Sequence, residues 1–233
     1  MAAGKPRCLA VIPARGGSKG LPRKNVLPFA GRPLIAWSVQ AALDSAGVTR
    51  TIVSTDDQEI LEAAVAAGAE APFVRPVALA SDEATAMDVV HHAMQWAETQ
   101  GPWDYFVLLQ PTSPLRTGAD IDGCIELCRS RGAPAVVSVT PAPKSPYWMY
   151  GLDEQGALSR LFEPPEQATR RQDLPAAYLP NGAVYVAAWA HLAGGGGFYD
   201  GALGYVMPAE RSVDIDSALD FLMAENIHRS GGA

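Results

Sequence analysis

Short apolar runs alternate with helix-forming segments along the first 140 residues of the chain. Five runs have the length and composition of buried strands: CLAVI, RTIVST, APFVRP, YFVLLQ and AVVSVT. Four segments between them have the apolar spacing of helices: LIAWSVQAALDSAG, DDQEILEAAVAAG, TAMDVVHHAMQWAETQG and TGADIDGCIELCRSRG. Strands separated by helices pair mostly in parallel. We therefore predict an α/β fold with a mostly parallel sheet and helices on both faces.

Polar residues predict where several of these helices begin and end. Asp56 and Glu59 have the spacing of a capping box, with Asp56 as the N-cap of the second helix. Thr117 and Asp120 have the same spacing at the start of the fourth helix. Gly47 is predicted to close the first helix, because glycine is favoured just past a helix end.

The alternation breaks between residues 141 and 180, where prolines recur. Within this range YWMYGL and ALSRLF flank DEQG, which is the pattern of a β-hairpin. We interpret 141–180 as an excursion from a single domain, 1–233, that either covers a site or pairs with a second subunit. After it, GAVYVA and LGYVMP predict strands that return to the sheet, and DSALDFLMAENIHR predicts a final helix.

Composition and charge exclude several classes of function. The formal net charge of −7 argues against a general binder of nucleic acid or of anionic membranes. No apolar run approaches the roughly 18 residues of a transmembrane helix, and CLAVI is too short for the core of a signal peptide. We therefore expect no nucleic-acid partner and no membrane association.

The three cysteines give no disulfide framework, which favours a reducing compartment and a cytoplasmic location. Cys124 and Cys128 are four residues apart on a predicted helix, as expected for buried core thiols. His91 and His92 lack the spacing of metal ligands to any neighbouring residue.

The first candidate site is the sequence VIPARGGSKGLPRKN at residues 11–25. Glycines there let the backbone approach a ligand, and the cations Arg15, Lys19, Arg23 and Lys24 stand out in an acidic chain. The stretch follows the first strand, and ligands of open α/β sheets bind beyond the carboxyl ends of strands. It is neither a Walker A loop nor a dinucleotide fingerprint. It predicts binding of phosphates, and an ordinary solvated loop is the alternative.

The second candidate is VDID at residues 213–216. Alternate side chains of an extended segment share a face, so Asp214 and Asp216 are expected to lie together while Val213 and Ile215 pack on the other side. Two adjacent carboxylates favour a cation between them, and Mg²⁺ commonly combines one or two carboxylates with substrate phosphates. The alternative is that Asp216 simply caps the last helix.

The third candidate is LLQPTSPLR at residues 108–116, where an apolar strand gives way to polar groups. Gln110, Thr112, Ser113 and Arg116 could form hydrogen bonds with a polyhydroxylated ligand. A structural turn stiffened by its two prolines explains the pattern equally well.

Together these stretches resemble the CMP-N-acylneuraminate cytidylyltransferases and their relatives for legionaminic and pseudaminic acids. The matching blocks, in order, are IPARGGSKGLPRKN, STDD, RPVALASDEAT, LLQPTSPLR, RRQDLPAAYLPNGAVYV and SVDIDSALDF. The resemblance implies a nucleotidyltransferase-type, Rossmann-like fold in which residues 141–180 build a homodimer. It also implies transfer of CMP from CTP to the anomeric hydroxyl of a nonulosonic 2-keto sugar acid, with release of pyrophosphate and with Mg²⁺ as cofactor.

The resemblance also implies roles for individual residues. The catalytic set would be Arg15, Lys24, Asp214 and Asp216, with both aspartates on the metal. The nucleotide would contact Arg15, Gly17, Ser18, Lys24, Asn25, Arg75, Ala84 and Ala86. The sugar would lie near Gln110, Ser113, Lys144, Arg171, Asn181, Phe198 and Tyr199, with Lys144 and Arg171 reaching a neighbouring subunit's site.

Two positions depart from the pattern of these enzymes. Leu179 stands where similar enzymes have a sugar-contacting arginine, which leaves the choice of nonulosonic acid open. Ala86 stands where many have a serine beside the nucleotide. The alternative functions are activation of an eight-carbon 3-deoxy-octulosonate or another sugar, and a nucleotide-sugar binding protein without catalysis.

Overall fold

The computed structural model describes residues 5–17, 20–165, 170 and 173–231. Its strands, in chain order, are β1 Cys8–Pro13, β2 Pro28–Phe29, β3 Arg32–Pro33, β4 Arg50–Ser54, β5 Tyr105–Leu108, β6 Ala135–Pro141, β7 Tyr150–Leu152, β8 Leu158–Arg160, β9 Tyr178–Ala188 and β10 Leu203–Val206. Its α-helices are α1 Leu34–Asp44, α2 Gln58–Ala66, α3 Ala86–Glu98, α4 Gly118–Arg131, α5 Trp189–Ala193 and α6 Ala218–Arg229.

A six-stranded sheet in the order β10-β6-β9-β5-β1-β4 forms the centre of the fold. β1 pairs in parallel with β4 and β5, and β10 pairs in parallel with β6, whereas β9 is antiparallel to both of its neighbours. The predicted α/β class with a mostly parallel sheet is therefore confirmed.

The alternation of side chains along β1 shows that helices cover both faces of the sheet. Ala10 and Ile12 belong to a buried cluster with residues of α1, α2 and α4. Leu9 and Val11 point the opposite way and pack with residues of α3 and α5. A third cluster, centred on Phe29, joins β2 to the segment before α6.

The buried stripe predicted on α4 is confirmed. Cys124 and Cys128 are buried free thiols beside Ile121 and Ile125. The capping box at the start of α4 is also present, because Thr117 accepts a hydrogen bond from the Asp120 amide and the Asp120 carboxylate accepts one from the Thr117 amide.

The predicted C-terminal end of α1 and the predicted N-cap of α2 were wrong. α1 stops before Gly47, because the Asp122 carboxylate accepts hydrogen bonds from the amides of Ala46 and Gly47 and turns the chain away from the helix axis. The N-cap of α2 is Asp57, which accepts from the Ile60 amide, and not Asp56.

The predicted strand APFVRP is also absent from the sheet. Prolines at 72 and 76 remove two backbone donors at its ends, and only Glu70, just before it, forms a single bridge to Ile52. The chain instead turns Arg75 into the protein, where it is buried.

The excursion leaves the sheet after β6 and returns as β9. The predicted hairpin is present as β7 and β8, which pair antiparallel with Leu152 opposite Leu158. GAVYVA and LGYVMP form parts of β9 and β10, as predicted. Among the described residues, no helix has both the length and the apolarity needed to span a bilayer.

Candidate active site

A polar cleft of about 420 Å³ lies beyond the carboxyl ends of β1 and β5. It is lined by Pro13, Arg15, Gly20, Lys24, Asn25, Gln110, Pro111, Thr112, Asp214 and Asp216. These residues come from the three stretches that the sequence singled out. The fold therefore brings the cationic loop, the turn after β5 and the acidic pair into one site.

Arg15 and Asn25 form the part of the cleft nearest to β1. Arg15 Nη1 donates to the Asp82 carboxylate at 2.8 Å and to the Ser81 carbonyl at 3.4 Å. Within the described part of the chain, the other two guanidinium nitrogens of Arg15 have no hydrogen-bond partner. Asn25 donates to the Arg15 carbonyl at 3.2 Å, while its own Oδ1 is buried without a partner. Both side chains thus retain polar atoms for a ligand.

Lys24 joins the cationic loop to the acidic pair. Its side chain is buried, and Nζ donates to the Ile215 carbonyl and to Asp216 Oδ1, the latter at 3.0 Å. Gly20 lies against the Asp216 carbonyl oxygen and leaves no room there for a Cβ atom. The loop and the segment 213–216 therefore pack directly on each other.

The acidic segment has the predicted alternation. Val213 and Ile215 are buried in the cluster around Phe29, whereas Asp214 and Asp216 line the cleft. Ser217 caps α6 by accepting from the Asp220 amide. The alternative in which Asp216 is the helix cap is therefore wrong.

Asp214 is the more enclosed of the two carboxylates. Burial raises its pKa, and a hydrogen bond from the Thr112 side chain opposes that shift in part. Its Oδ1 is buried with no hydrogen-bond partner. A carboxylate oxygen in this condition is expected to receive a donor or a cation when the site is filled.

The described lining of the cleft offers a cation two protein carboxylates, those of Asp214 and Asp216. Within the ranges that the structure describes, no group of three or more His, Cys, Asp or Glu residues is placed to hold a metal ion. A hard cation with two carboxylates fits this site only if substrate oxygens or water complete its coordination, which is the usual arrangement for Mg²⁺. The residues present therefore fit Mg²⁺ as the partner of a phosphate substrate.

The turn after β5 divides between ligand-facing and structural residues. Gln110 and Thr112 line the cleft. Arg116 is buried and donates three hydrogen bonds to protein groups. Its Nε donates to the Ala183 carbonyl and its Nη1 to Ser38 Oγ, both at 2.7 Å. Its Nη2 donates to the Gln110 carbonyl. Burial lowers the pKa of Arg116 to about 9. The residues of LLQPTSPLR therefore divide between the two interpretations. Gln110 and Thr112 face the cleft as ligand-binding residues would, whereas Arg116 stabilises the turn.

Two of the predicted sugar contacts lie behind the wall of the cleft. Ser113 is fully buried and its hydroxyl is 3.4 Å from the Asn181 carbonyl. Asn181 is also buried, and it accepts from Ser138 Oγ at 2.6 Å and donates to Ser212 Oγ at 2.8 Å. Both side chains support the wall in this structure.

Gly182 is a site residue that the sequence reasoning missed. Its φ is +72°, and a Cβ atom would lie 2.6 Å from Gln110 Oε1 and 3.2 Å from Asp214 Oδ2. The Asn-Gly pair at 181–182 was a signal of a left-handed residue. It did not show that the residue packs against two cleft side chains.

The predicted nucleoside contacts lie outside the lining of the cleft. Arg75 is buried, and its guanidinium donates to the hydroxyl and the carbonyl of Ser54. Burial lowers the pKa of Arg75 to about 10. Ala84 and Ala86 lie at the start of α3. The segment just before them contains Asp82, whose carboxylate accepts a hydrogen bond from Arg15.

The remaining predicted contacts are dispersed. Phe198 is buried against Tyr185, with ring centroids 5.5 Å apart, and the exposed Tyr199 packs edge-on against the same ring. Lys144 is exposed between β6 and the hairpin. Gly17 adjoins Gly16 in the loop and has open space where a Cβ would lie. Ser18, Lys19 and Arg171 lie outside the described residues.

A mostly parallel sheet with a glycine-rich, cationic loop at its carboxyl edge is an architecture of nucleotide-binding α/β proteins. A family model described as cytidylyltransferase matches residues 9–173. The chain belongs to this cytidylyltransferase family.

Three relatives agree with the resemblance drawn from the sequence. The chain is 35% identical over 229 residues to the CMP-N,N'-diacetyllegionaminic acid synthase of Legionella pneumophila, covering 95% of this chain and 96% of that protein. It is 32% identical over 225 residues to a pseudaminic acid cytidylyltransferase of Campylobacter jejuni, covering 95% and 96%. It is 34% identical over 227 residues to the N-acylneuraminate cytidylyltransferase of Escherichia coli, covering 97% of this chain but 53% of that longer protein.

Two solved structures share the fold. One is a CMP:2-keto-3-deoxy-manno-octonic acid synthetase complexed with CTP, with a TM-score of 0.68 at 18% identity over 97% of this chain and 99% of that one. The other is a 4-diphosphocytidyl-2C-methyl-D-erythritol synthase from Anaerococcus prevotii, with a TM-score of 0.62 at 12% identity and the same coverage. At these identities the likeness establishes the fold alone.

Proposed function

We propose that this protein transfers CMP from CTP to the anomeric hydroxyl of a nonulosonic 2-keto sugar acid and releases pyrophosphate. The observation that carries the proposal is the cleft in which Arg15 and Lys24 face Asp214 and Asp216. The names of the three relatives supply the substrate class, since each of them acts on a sugar acid of this kind or forms its CMP derivative.

The residues of the loop would bind and orient the triphosphate. Two guanidinium nitrogens of Arg15 have no partner among the described residues and could bind phosphate oxygens, and Gly17 leaves its backbone accessible. The oxygen of the sugar hydroxyl attacks the α-phosphorus, the bond from that phosphorus to the β-phosphate oxygen breaks, and pyrophosphate leaves. The hydroxyl proton is lost to a base. In such transfers, positioning and charge stabilisation supply most of the rate enhancement, and Arg15 and Lys24 would stabilise the departing pyrophosphate.

Mg²⁺ would be held by Asp214 and Asp216 together with phosphate oxygens. The support is the buried, partnerless Oδ1 of Asp214 beside a second carboxylate. When bound, Mg²⁺ supplies Lewis-acid polarisation of the phosphate and charge neutralisation. Lys24 already neutralises part of the charge of Asp216 through its 3.0 Å contact.

The sugar would lie next to Gln110 and Gly182, on the side of the cleft nearest to β9. Arg75, Ala84 and Ala86 would adjoin the nucleoside. The family resemblance assigns further sugar contacts to Lys144 and Arg171. These last contacts require a second subunit, because both residues belong to the excursion between β6 and β9.

We propose that the excursion forms a homodimer. Its hairpin leaves several large apolar side chains exposed: Trp148, Met149, Tyr150, Leu152, Leu158, Leu161 and Phe162. Exposed apolar patches of this kind mark protein interaction sites. A cytoplasmic location is supported by three cysteines that are all buried as free thiols.

A panel of acceptors tests the proposed function. Pyrophosphate release from CTP and Mg²⁺ would be measured with N-acetylneuraminic, deaminated neuraminic, legionaminic and pseudaminic acids and with 3-deoxy-octulosonate. Turnover with one nonulosonic acid is expected. It would identify the sugar that is accepted by a site with Leu179 in place of the usual arginine. Turnover with the octulosonate alone would establish the alternative enzyme, and CTP binding without turnover on any acceptor would favour a binding protein.

A further inference from the structure

Among the described cations of the loop, Arg23 faces away from the cleft. Arg23 does not line the cleft, whereas the adjacent Lys24 does. The Arg23 guanidinium contacts both carboxylate oxygens of Asp57, with Nη2 3.2 Å from Oδ1, and it also contacts the Glu59 carboxylate. Arg23 is thus attached to the start of α2, and its charge is already matched by protein carboxylates.

The other end of the loop is attached to the same place. The Gly16 amide donates to Asp56 Oδ1 at 3.0 Å. A Cβ atom on Gly16 would lie 2.8 Å from Asp57 Oδ2, so the backbone there packs closely on the Asp57 side chain. The loop is therefore attached to residues 56–57 at two points. Gly16 makes one contact soon after the chain leaves β1, and Arg23 makes the other just before the chain returns to the cleft.

Arg23 has an unusual backbone conformation directly before two residues that line the cleft. Arg23 has a φ of +57°, and among the described non-glycine residues only Ala30 shares a positive φ. Such a conformation persists only where surrounding contacts hold it. Directly after it, a 3-10 helix at Lys24–Val26 points Lys24 and Asn25 into the cleft.

We propose that Asp57 is a positioning residue for the nucleotide, because its ion pair with Arg23 holds the loop conformation that presents Lys24 and Asn25 to the phosphates. This inference rests on the proposed function for the identity of the ligand. Glu59, two residues further along in the first turn of α2, contacts the same guanidinium. The competing explanation is that Asp57 merely caps α2 and that its ion pair with Arg23 is an ordinary surface contact.

The substitution Asp57→Asn separates the two explanations. Asparagine is as good an N-cap as aspartate, so the hydrogen bond from the Ile60 amide can be kept while the charge that holds Arg23 is lost. Arg23→Met removes the same contact from the other side and leaves the cap intact. Glu126→Gln is the matched control, because it removes an exposed ion pair with Arg129 on α4, away from the cleft.

Hydrogen exchange without ligand is the first measurement. The amides of Val26 and Leu27 donate to the carbonyls of Arg23 and Lys24, and they report whether the short helix after Arg23 stays formed. Asp57→Asn and Arg23→Met should speed their exchange, while Glu126→Gln should leave it unchanged. Exchange at the wild-type rate in both loop variants would overturn the inference.

CTP affinity is the second measurement. Both loop variants should weaken CTP binding roughly three- to ten-fold, the size expected for loss of a charge-assisted contact, with the KM for the acceptor unchanged. The double variant should be no weaker than either single one. An unchanged CTP affinity, or an equal loss for CTP and acceptor, would overturn the positioning role. Failure of the wild type to bind CTP would instead contradict the proposed function.

Discussion

The ammonium group of Lys24 lies 3.0 Å from a carboxylate oxygen of Asp216 and joins two segments that are 192 residues apart in the chain. The Lys24 side chain is almost completely buried, whereas the Asp216 side chain is 79% exposed, so solvent screens this contact from one side only. Asp216 is therefore partly neutralised by the protein itself, whereas Asp214 keeps a buried oxygen without a partner. The two carboxylates are consequently unequal, and Asp214 has the greater need for a cation.

Replacement of Asp214 should abolish most activity without unfolding the protein. We expect Asp214→Asn to lower kcat by about 100-fold or more, the scale of losing a main electrostatic contact to the transition state. Folding stability should be equal or higher, because burial raises the pKa of Asp214 and asparagine removes the disfavoured charge. Steady-state kinetics and thermal unfolding would be measured together.

Asp153→Asn is the control for this substitution, since Asp153 lies in the exposed hairpin turn and its Oδ1 only accepts backbone hydrogen bonds there. Asp216→Asn should also reduce turnover. Near wild-type kcat for both cleft variants would remove the metal assignment.

Replacement of Arg15 should weaken the binding of CTP and not that of the sugar. Arg15→Ala removes two guanidinium nitrogens that have no partner in the described part of the chain. We expect the KM for CTP to rise roughly ten-fold or more, as for loss of hydrogen bonds between charged groups. The KM for the acceptor should change little. Arg129→Ala, on the exposed face of α4, is the control. A defect confined to the acceptor would show that the loop has another role.

Gly182 should tolerate no side chain. Gly182→Ala places a methyl group against Gln110 Oε1 and Asp214 Oδ2. Displacement of cleft groups by about 1 Å is expected to reduce turnover about 100-fold. Gly156→Ala is a matched control, because Gly156 has a similar φ of +81° but open space around it. Both variants should therefore bear a similar backbone strain, and equal activities would contradict the steric explanation.

The Arg23–Asp57 pair should make stability depend on pH in a defined direction. The hydrogen bond from Arg23 lowers the pKa of Asp57 below its ordinary value of 3.8. The folded state therefore favours the ionised carboxylate, and this contribution is fully present above the unfolded-state pKa. It is lost as the pH falls through the lower pKa of the folded state.

Urea unfolding at several pH values tests this dependence. The difference in unfolding free energy between wild type and Asp57→Asn should be present at neutral pH. It should begin to shrink near pH 3.8, where Asp57 of the unfolded chain takes up a proton, and should be lost once the pH falls through the lower pKa of the folded state. A difference that stayed constant down to acidic pH would assign the effect to something other than the charge of Asp57.

Polar substitutions in the hairpin should dissociate the proposed dimer. Leu152 and Leu158 face each other across β7 and β8, and about 70% of each residue is exposed. The double substitution to serine should reduce the mass measured by sedimentation to that of one chain. Leu219→Ser on α6 alters an equally exposed leucine outside the hairpin and should leave the dimer intact. A wild-type monomer would contradict the homodimer proposal.

The sequence predicted the features that depend on periodicity, together with the capping box of α4 but not the N-cap of α2. The alternation of Val213, Asp214, Ile215 and Asp216 determined which side chains face the cleft, and that geometry needs only an extended backbone. The α4 stripe and its capping box followed from helical spacing in the same way.

Features that depend on tertiary contacts could not be predicted. Arg23 and Lys24 are adjacent cations, yet Lys24 lines the cleft whereas Arg23, with its left-handed backbone, contacts Asp57. Ser113 and Asn181 are polar residues in the expected blocks, yet both are buried by hydrogen bonds to partners distant in the chain. The early end of α1 has the same cause, because the Asp122 carboxylate reaches it from α4.

Phosphorus NMR of a reaction mixture tests the central claim most directly. Wild-type protein would be incubated with CTP, Mg²⁺ and the best acceptor of the panel, and parallel samples would omit the acceptor or contain Asp214→Asn. We expect the phosphodiester signal of a CMP-sugar and the signal of pyrophosphate to appear together, in equal amounts, only in the complete wild-type sample. Pyrophosphate formed without acceptor, or a complete sample in which CTP stays unchanged with every acceptor, would contradict it.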